Sequence, residues 1–135
     1  MKSSSANADK WYVYAYRDPN DSMPFYIGKG TDLRVFSHAK GYGSEETTRR
    51  ISSIKKRRLE PIIEIIARDL SQEVALYIEM ALIELIGIAN LTNKQRGHGW
   101  RRHGSIDASQ LSAHLVGESL TVEDFKGIPT IVFRI

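Results

Sequence analysis

Residues 11 to 38 read WYVYAYRDPNDSMPFYIGKGTDLRVFSH. From Trp11 to Tyr16 aromatic and aliphatic side chains alternate, as in a strand, and the run stops at Arg17-Asp18-Pro19-Asn20-Asp21, a dense turn signal. Pro24-Phe25-Tyr26-Ile27-Gly28 resumes as a short strand, so the two runs predict a hairpin with a connection of several residues. Gly28 and Gly30 end it and leave room for the backbone to approach a ligand closely. Thr31 or Asp32 is placed to cap a helix carrying Leu33, Arg34, Val35, Phe36 and His38 as far as Gly41-Tyr42-Gly43. On such a helix Arg34 and His38, four apart, share a face. Tyrosine-bearing strands, a Gly-Lys-Gly turn, an arginine and a histidine in one short unit suit the cutting of a phosphodiester, given a carboxylate from elsewhere.

Outward from this segment, Ser44 to Arg58 predicts a second, basic helix, and Ile62-Ile63-Glu64-Ile65-Ile66-Ala67 after Pro61 is a β-branched run typical of a buried strand. Gln72 to Ile86 is the longest helical pattern, opened by Ser71 as its cap and closed by Gly87. The predicted order is ββααβα. Ile88 to Arg102, rich in asparagine and glycine near its end, predicts an irregular, polar, basic loop. Beyond it, a short helix is expected around Asp107 to Leu115 and an apolar strand at Thr130 to Arg134.

Composition bounds these readings. The chain has 135 residues, 41% hydrophobic and 26% charged, which suits one domain with a modest core. Three divisions are expected: a disordered lead-in over 1–10, a functional domain over 11–104, and an extension over 105–135 packed on or beside it. No apolar run approaches the roughly 20 residues needed to span a bilayer, and the N-terminus lacks the apolar core of a secretory signal, so a cytoplasmic protein is expected. With no cysteine, disulfides, a thiol nucleophile and thiolate zinc sites are excluded, and any metal must be held by oxygen or nitrogen. Net charge is only +3, but up to Gly104 there are 17 basic residues against 12 acidic ones. Three clusters stand out: Arg49-Arg50, Lys55-Lys56-Arg57-Arg58, and Arg96 with Arg101-Arg102-His103. They suit phosphate contacts along a nucleic-acid backbone, and equally a solvated helix face.

The helix from Gln72 supplies the missing carboxylate. At about 100° per residue, Ala75, Ile83 and Ile86 fall within about 40° of Glu79 and Leu82 within about 60°, which centres this acid on the apolar stripe. Glu84 projects about 140° away and is expected to be a solvated surface residue. Burying an unpaired carboxylate costs several kcal/mol, so Glu79 must be protonated, salt-bridged or bound to a metal.

Taken together, Tyr12-Val13-Tyr14, Phe25-Tyr26-Ile27-Gly28-Lys29-Gly30, Arg34, His38, Glu79 and Leu91-Thr92-Asn93 before a glycine-rich loop resemble the GIY-YIG nuclease superfamily over about residues 11 to 99. Within it, the chain is similar to the branch with a Tyr-Val-Tyr first motif, found in bacterial proteins and animal LEM-domain nucleases. The resemblance implies that Tyr14 and Tyr26 are the motif tyrosines, one of which activates the attacking hydroxide directly or through water. It implies that Arg34 contacts the scissile phosphate, Glu79 is the single metal-binding carboxylate and Asn93 supports the site. Lys29 matches the lysine after the second motif, and His38 stands where members carry histidine or tyrosine. Two departures are visible: Tyr12 replaces the first motif's glycine, and the spacing from Tyr26 to Arg34 is the shorter one of the LEM-like branch.

The chemistry is consistent with that implication. A tyrosine near its reference pKa of about 10 is a poor base at neutral pH, but Lys29, Arg34 and a divalent ion would favour the phenolate, and Tyr26, beside the turn, is the first choice. Mg²⁺ or Mn²⁺ needs only one or two carboxylates plus waters and substrate phosphate, so Glu79 suffices. Arg34 can fork onto the phosphate oxygens. Lys29, Arg34, Arg49, Arg50, Lys55, Lys56, Arg57, Arg96, Arg101 and Arg102 are the candidate nucleic-acid contacts. For Tyr12 and Tyr16, packing of strand aromatics on a helix is the simpler reading. His98, His103 and His114 match no familiar metal spacing, and Trp100 either anchors its loop or stacks on a base. The expectation is a small α/β (α+β) endonuclease with a three-stranded, mainly antiparallel sheet flanked by helices, hydrolysing DNA, branched or damaged DNA included, with low sequence specificity. The competing reading is a nucleic-acid-binding module that keeps the fold without turnover; the complete residue set argues against it.

Overall fold

The computed structural model describes residues 9–116, which divide after Gly104 into two units. In the first, strands β1 (Trp11–Arg17), β2 (Pro24–Gly30) and β3 (Ile62–Leu70) form an antiparallel sheet in the order β2-β1-β3. Helices α1 (Glu45–Lys56) and α2 (Gln72–Ile86) flank it, and a single helical turn, α3 (Trp100–His103), follows. This is the small three-stranded α/β arrangement expected from the sequence. In the second unit, Asp107 caps a 3₁₀ turn at Ala108–Gln110 through a reciprocal capping box, and the turn runs into α4 (Leu111–Val116). The expected strand at Thr130 to Arg134, and all of the lead-in before Asp9, lie outside the described residues.

Alternation along β1 splits the core between the two faces of the sheet. Val13 and Ala15 join Ile27 beneath α2, where Ala75, Ile83 and Leu91 complete the cluster. Tyr14 and Tyr16 project to the other face, with Phe25, Val35 and, from α1, Ile51 and Ile54. Both long helices are capped by a serine, as expected for α2. The Ser44 hydroxyl accepts from the Thr47 N–H and that of Ser71 from the Val74 N–H, each at 3.2 Å. Glu45 and Glu46 in the first turn of α1, with Lys55 and Lys56 in its last, complement the helix dipole. Gly87 ends α2 at a φ of 94°, in the left-handed half of the map that a side chain resists.

Three expectations are corrected. The run from Ile62 is not a buried central strand: β3 is a nine-residue edge strand, with Ile65 and Ile66 each 46% exposed. β1 occupies the middle of the sheet and α2 packs mainly over β1 and β2, so an isoleucine run alone misreads the depth. Two irregularities in the pairing of β3 with β1, together with Asp69 at a φ of 59°, twist this open edge.

The second correction concerns Thr31 to His38, which forms no α-helix. Two 3₁₀ turns, Arg34–Phe36 and His38–Lys40, take its place. The cause lies in β1. The Tyr16 hydroxyl donates to the Val35 carbonyl at 2.5 Å and accepts from the Ala39 N–H at 3.3 Å, so it sits inside what would be an i→i+4 bond. The Tyr12 hydroxyl likewise accepts from the Val35 N–H at 2.9 Å and donates to the Asp32 carbonyl at 2.8 Å. The third correction is Glu84, whose side chain is 6% exposed and grips Arg96 with both carboxylate oxygens, at 2.8 and 2.7 Å. Helical periodicity cannot register a loop that returns to cover the helix.

Candidate active site

The hairpin register sets the tyrosines. Tyr14 pairs with Gly28, Tyr12 with Gly30 and Tyr16 with Tyr26 across β1 and β2. A Cβ on Gly28 would lie 2.6 Å from the Tyr14 phenol, and one on Gly30 3.2 Å from Arg34. The space these glycines leave is thus filled by the protein's own Tyr14 and Arg34 rather than by a ligand.

Tyr14, Tyr26, Lys29, Arg34, Ser37, His38, Tyr42 and Glu79 line one cavity of about 430 Å³. Tyr26, Lys29, His38 and Glu79 also line a second of similar size, walled by Ser44 and by Thr92 to His98. The two form one cleft along the outer edge of β2. All seven predicted site residues lie on it, brought from β1, β2, the 3₁₀ segment, α2 and the loop beyond. Asn93 holds that edge as a further strand would: its side-chain oxygen accepts from the Ile27 N–H at 3.0 Å and its amide donates to the Ile27 carbonyl at 2.7 Å. Thr92 extends the seam, its N–H donating to the Phe25 carbonyl at 2.7 Å and its hydroxyl meeting that of buried Thr47 at 2.8 Å. Asn90 instead closes the end of α2, donating to the Ile86 carbonyl.

Electrostatics separate the two tyrosines. Burial, then the neighbouring phenols, drives Tyr14 far above the usual tyrosine range. Tyr26 is also raised, by burial and by Glu79, but its hydrogen bond with Tyr14 and the charge of Arg34 pull it back. That bond raises Tyr14 and lowers Tyr26, so Tyr26 is the phenol of the pair that gives up its proton more readily. Lys29 acts on Glu79 rather than on Tyr26: burial raises the carboxyl, and Lys29 and then His98 lower it. His38 is lowered by burial and by Arg34. Its ring stands against Tyr26 with centroids 4.3 Å apart, and its Nδ1 is buried without a partner among the described residues. Gly43 gives that ring its place, since a Cβ there would fall 2.1 Å from Nδ1.

The basic clusters are less uniform than the sequence implies. Arg57 bonds Asp18, with Arg50 3.9 Å from the same oxygen, and Arg49 pairs with Glu45 at 2.7 Å. Arg96 is committed to Glu84 and lies 3.4 Å over Trp100, which anchors the loop. Lys55, Lys56, Arg101 and Arg102 are exposed. The sequence reading did not single out Tyr42, 72% exposed on the cleft, or the hydroxyls of Tyr12 and Tyr16 that shape the Arg34 segment. Nor did it place His98 beside Glu79; only its proximity to the glycine-rich loop was visible.

Among the described residues no helix is long and apolar enough to cross a membrane, and no group of three or more histidines and acids is poised around a metal. No curated protein and no solved structure matches the chain. The sequence profile of the LEM-3-like GIY-YIG domain matches residues 22–117, from the β1–β2 loop through the carboxylate helix and the loop after it. The chain therefore belongs to the GIY-YIG nuclease superfamily, in its LEM-3-like branch, a family whose activity is the nuclease cleavage of nucleic acid.

Proposed function

We propose that this protein is a metal-dependent endonuclease that hydrolyses DNA phosphodiesters with low sequence specificity, using Tyr26 as base, Glu79 as metal ligand and Arg34 as phosphate clamp. The observation that carries the reading is Glu79, a half-buried acid without an ion pair among the described residues, on one cleft with the two motif tyrosines and Arg34. That donor fits Mg²⁺ or Mn²⁺, which accept one carboxylate and fill their remaining positions with water and phosphate oxygens. A divalent ion on Glu79 supplies Lewis-acid stabilisation of the phosphate and offsets the negative charge that raises Tyr26.

The residues divide the remaining work. Arg34, exposed at the mouth of the cleft, forks onto the non-bridging oxygens. The Tyr26 oxygen, whose anion is favoured by its bond with Tyr14 and by the charge of Arg34, takes a proton from the attacking water as the P–O3′ bond breaks. His38 packs against the Tyr26 ring and fixes its orientation. Asn93 fixes β2 one residue further on. The exposed cations of α1 and α3 offer backbone contacts to DNA of varied sequence, branched or damaged DNA included.

Plasmid, branched and single-stranded DNA incubated with Mg²⁺ or Mn²⁺ test this directly. Wild type is expected to cut, with Glu79→Ala and Arg34→Ala reduced at least about a hundredfold. Equal cutting by all three proteins, or by none, overturns it, and DNA binding without cutting by any of them would favour a turnover-free module.

A further inference from the structure

The loop from Asn93 to Gly99 is fastened in a way that fixes where His98 falls. Asn93 holds one end to β2. Arg96 is locked to Glu84 of α2 and stacked on Trp100. Gly97 is buried on Met80, the residue after Glu79, where a Cβ would lie 2.5 Å from the Met80 Cα. Backbone on backbone leaves no room for any other residue. His98 follows directly, exposed on the wall of the cavity that Glu79 and Lys29 share.

We propose that His98 is a second protein ligand, beside Glu79, for the divalent ion, and that its imidazole biases the site toward Mn²⁺ over Mg²⁺. The inference rests on the metal-dependent reading above. Of the groups that line this cavity with Glu79, Lys29 is cationic and offers no lone pair. His98, as a neutral imidazole, does offer one, and it lines the same cavity wall as Glu79. Imidazole nitrogen is a good ligand for the later divalent ions and a poor one for Mg²⁺, which prefers carboxylate, carbonyl and water. A pair of protein ligands also leaves positions for the scissile phosphate.

The full-length protein without DNA is the right sample, because the readout is then metal binding and not turnover. Mn²⁺ and Mg²⁺ affinities are measured for wild type, His98→Ala, Glu79→Ala and, as a histidine outside the cleft, His103→Ala. Pulsed electron paramagnetic resonance of the Mn²⁺ form reports ¹⁴N coupling from a bound imidazole. His98→Ala is expected to lose the ¹⁴N signal and weaken Mn²⁺ about tenfold, with less than a twofold change for Mg²⁺, and His103→Ala to change neither. Mn²⁺ bound by wild type without ¹⁴N coupling overturns the inference even if every variant misfolds. So does a His98→Ala protein that binds Mn²⁺ like wild type, or one that weakens both ions equally. Failure of Glu79→Ala to weaken either ion would instead sink the metal-site reading beneath it.

Discussion

At the residue scale, Tyr14 and Tyr26 carry the same phenol in different electrostatic positions. Tyr14 is buried among other phenols, which raises it far above the usual range; Tyr26 is raised less, because its bond with Tyr14 and the charge of Arg34 pull it back. If Tyr26 is the base, as proposed, it acts deprotonated, and because its pKa stands above the usual tyrosine value, activity should climb with pH well into the alkaline range. Tyr26→Phe is expected to lower kcat by about 10²-fold or more across that range, the size of a lost general base. Tyr14→Phe removes a contribution that lowers Tyr26, so its rising limb should move to higher pH with a smaller loss at the plateau. pH–rate profiles of the two variants check both, and unchanged profiles in each would remove the phenolate. Much at this scale was legible in sequence, because Tyr14, Tyr26, Arg34 and Glu79 stand in motifs whose spacing survives without a structure. Tyr42 and His98 were not, because each reaches the cleft only through a loop whose path is set by contacts to other elements.

At the scale of elements, the 3₁₀ segment shows what local pattern misses. Its sequence favours a helix, and the periodicity of Arg34 and His38 fits one, yet hydroxyls from a strand 19 and 23 residues earlier in the chain intercept its backbone. A phenol at Tyr12 or Tyr16 reads as core packing, and that reading is incomplete: Tyr16 is fully buried, and its hydroxyl also dictates the shape of the segment that carries Arg34. Tyr16→Phe strands the Val35 carbonyl and the Ala39 N–H or lets them bond to each other as in an α-helix. Leaving a buried polar group unmatched costs about 1–3 kcal/mol, and either outcome displaces Arg34. The expected result is a lower midpoint of thermal unfolding together with a kcat/KM reduced about tenfold, and amide chemical shifts of residues 33–40 that move toward helical values would identify the second route. Full activity with unchanged shifts would show that the segment needs no such support. The caps at Ser71 and Gly87, by contrast, were legible because a cap is satisfied within its own turn.

At the scale of the whole molecule, function and stability pull on the same carboxyl. The folded state raises Glu79 above its ordinary value of 4.5, so it holds that proton more tightly than the unfolded chain does. The contribution to stability is therefore fully present below the unfolded value and is lost as pH rises through the folded one, which leaves an ionised, half-buried acid at neutral pH. Metal-free Glu79→Gln should unfold at a higher temperature than wild type at pH 7 to 8, with the gap closing as the pH falls toward 4. Calorimetry over that range checks it, and a variant less stable than wild type at pH 7 would contradict it. The hairpin, the two long helices and the antiparallel sheet were legible in sequence at this scale; the depth of β3 was not, since burial depends on which strand takes the centre. The pairing of Tyr14 with Gly28 and of Tyr12 with Gly30 reaches furthest. Slipping β1 by one residue would turn Val13 and Ala15 toward the cleft and the phenols toward α2. A residue added or deleted between Tyr12 and Tyr16 is therefore expected to exchange the two faces of the hairpin, so the proposed chemistry depends on the length of this strand as much as on the phenols it carries.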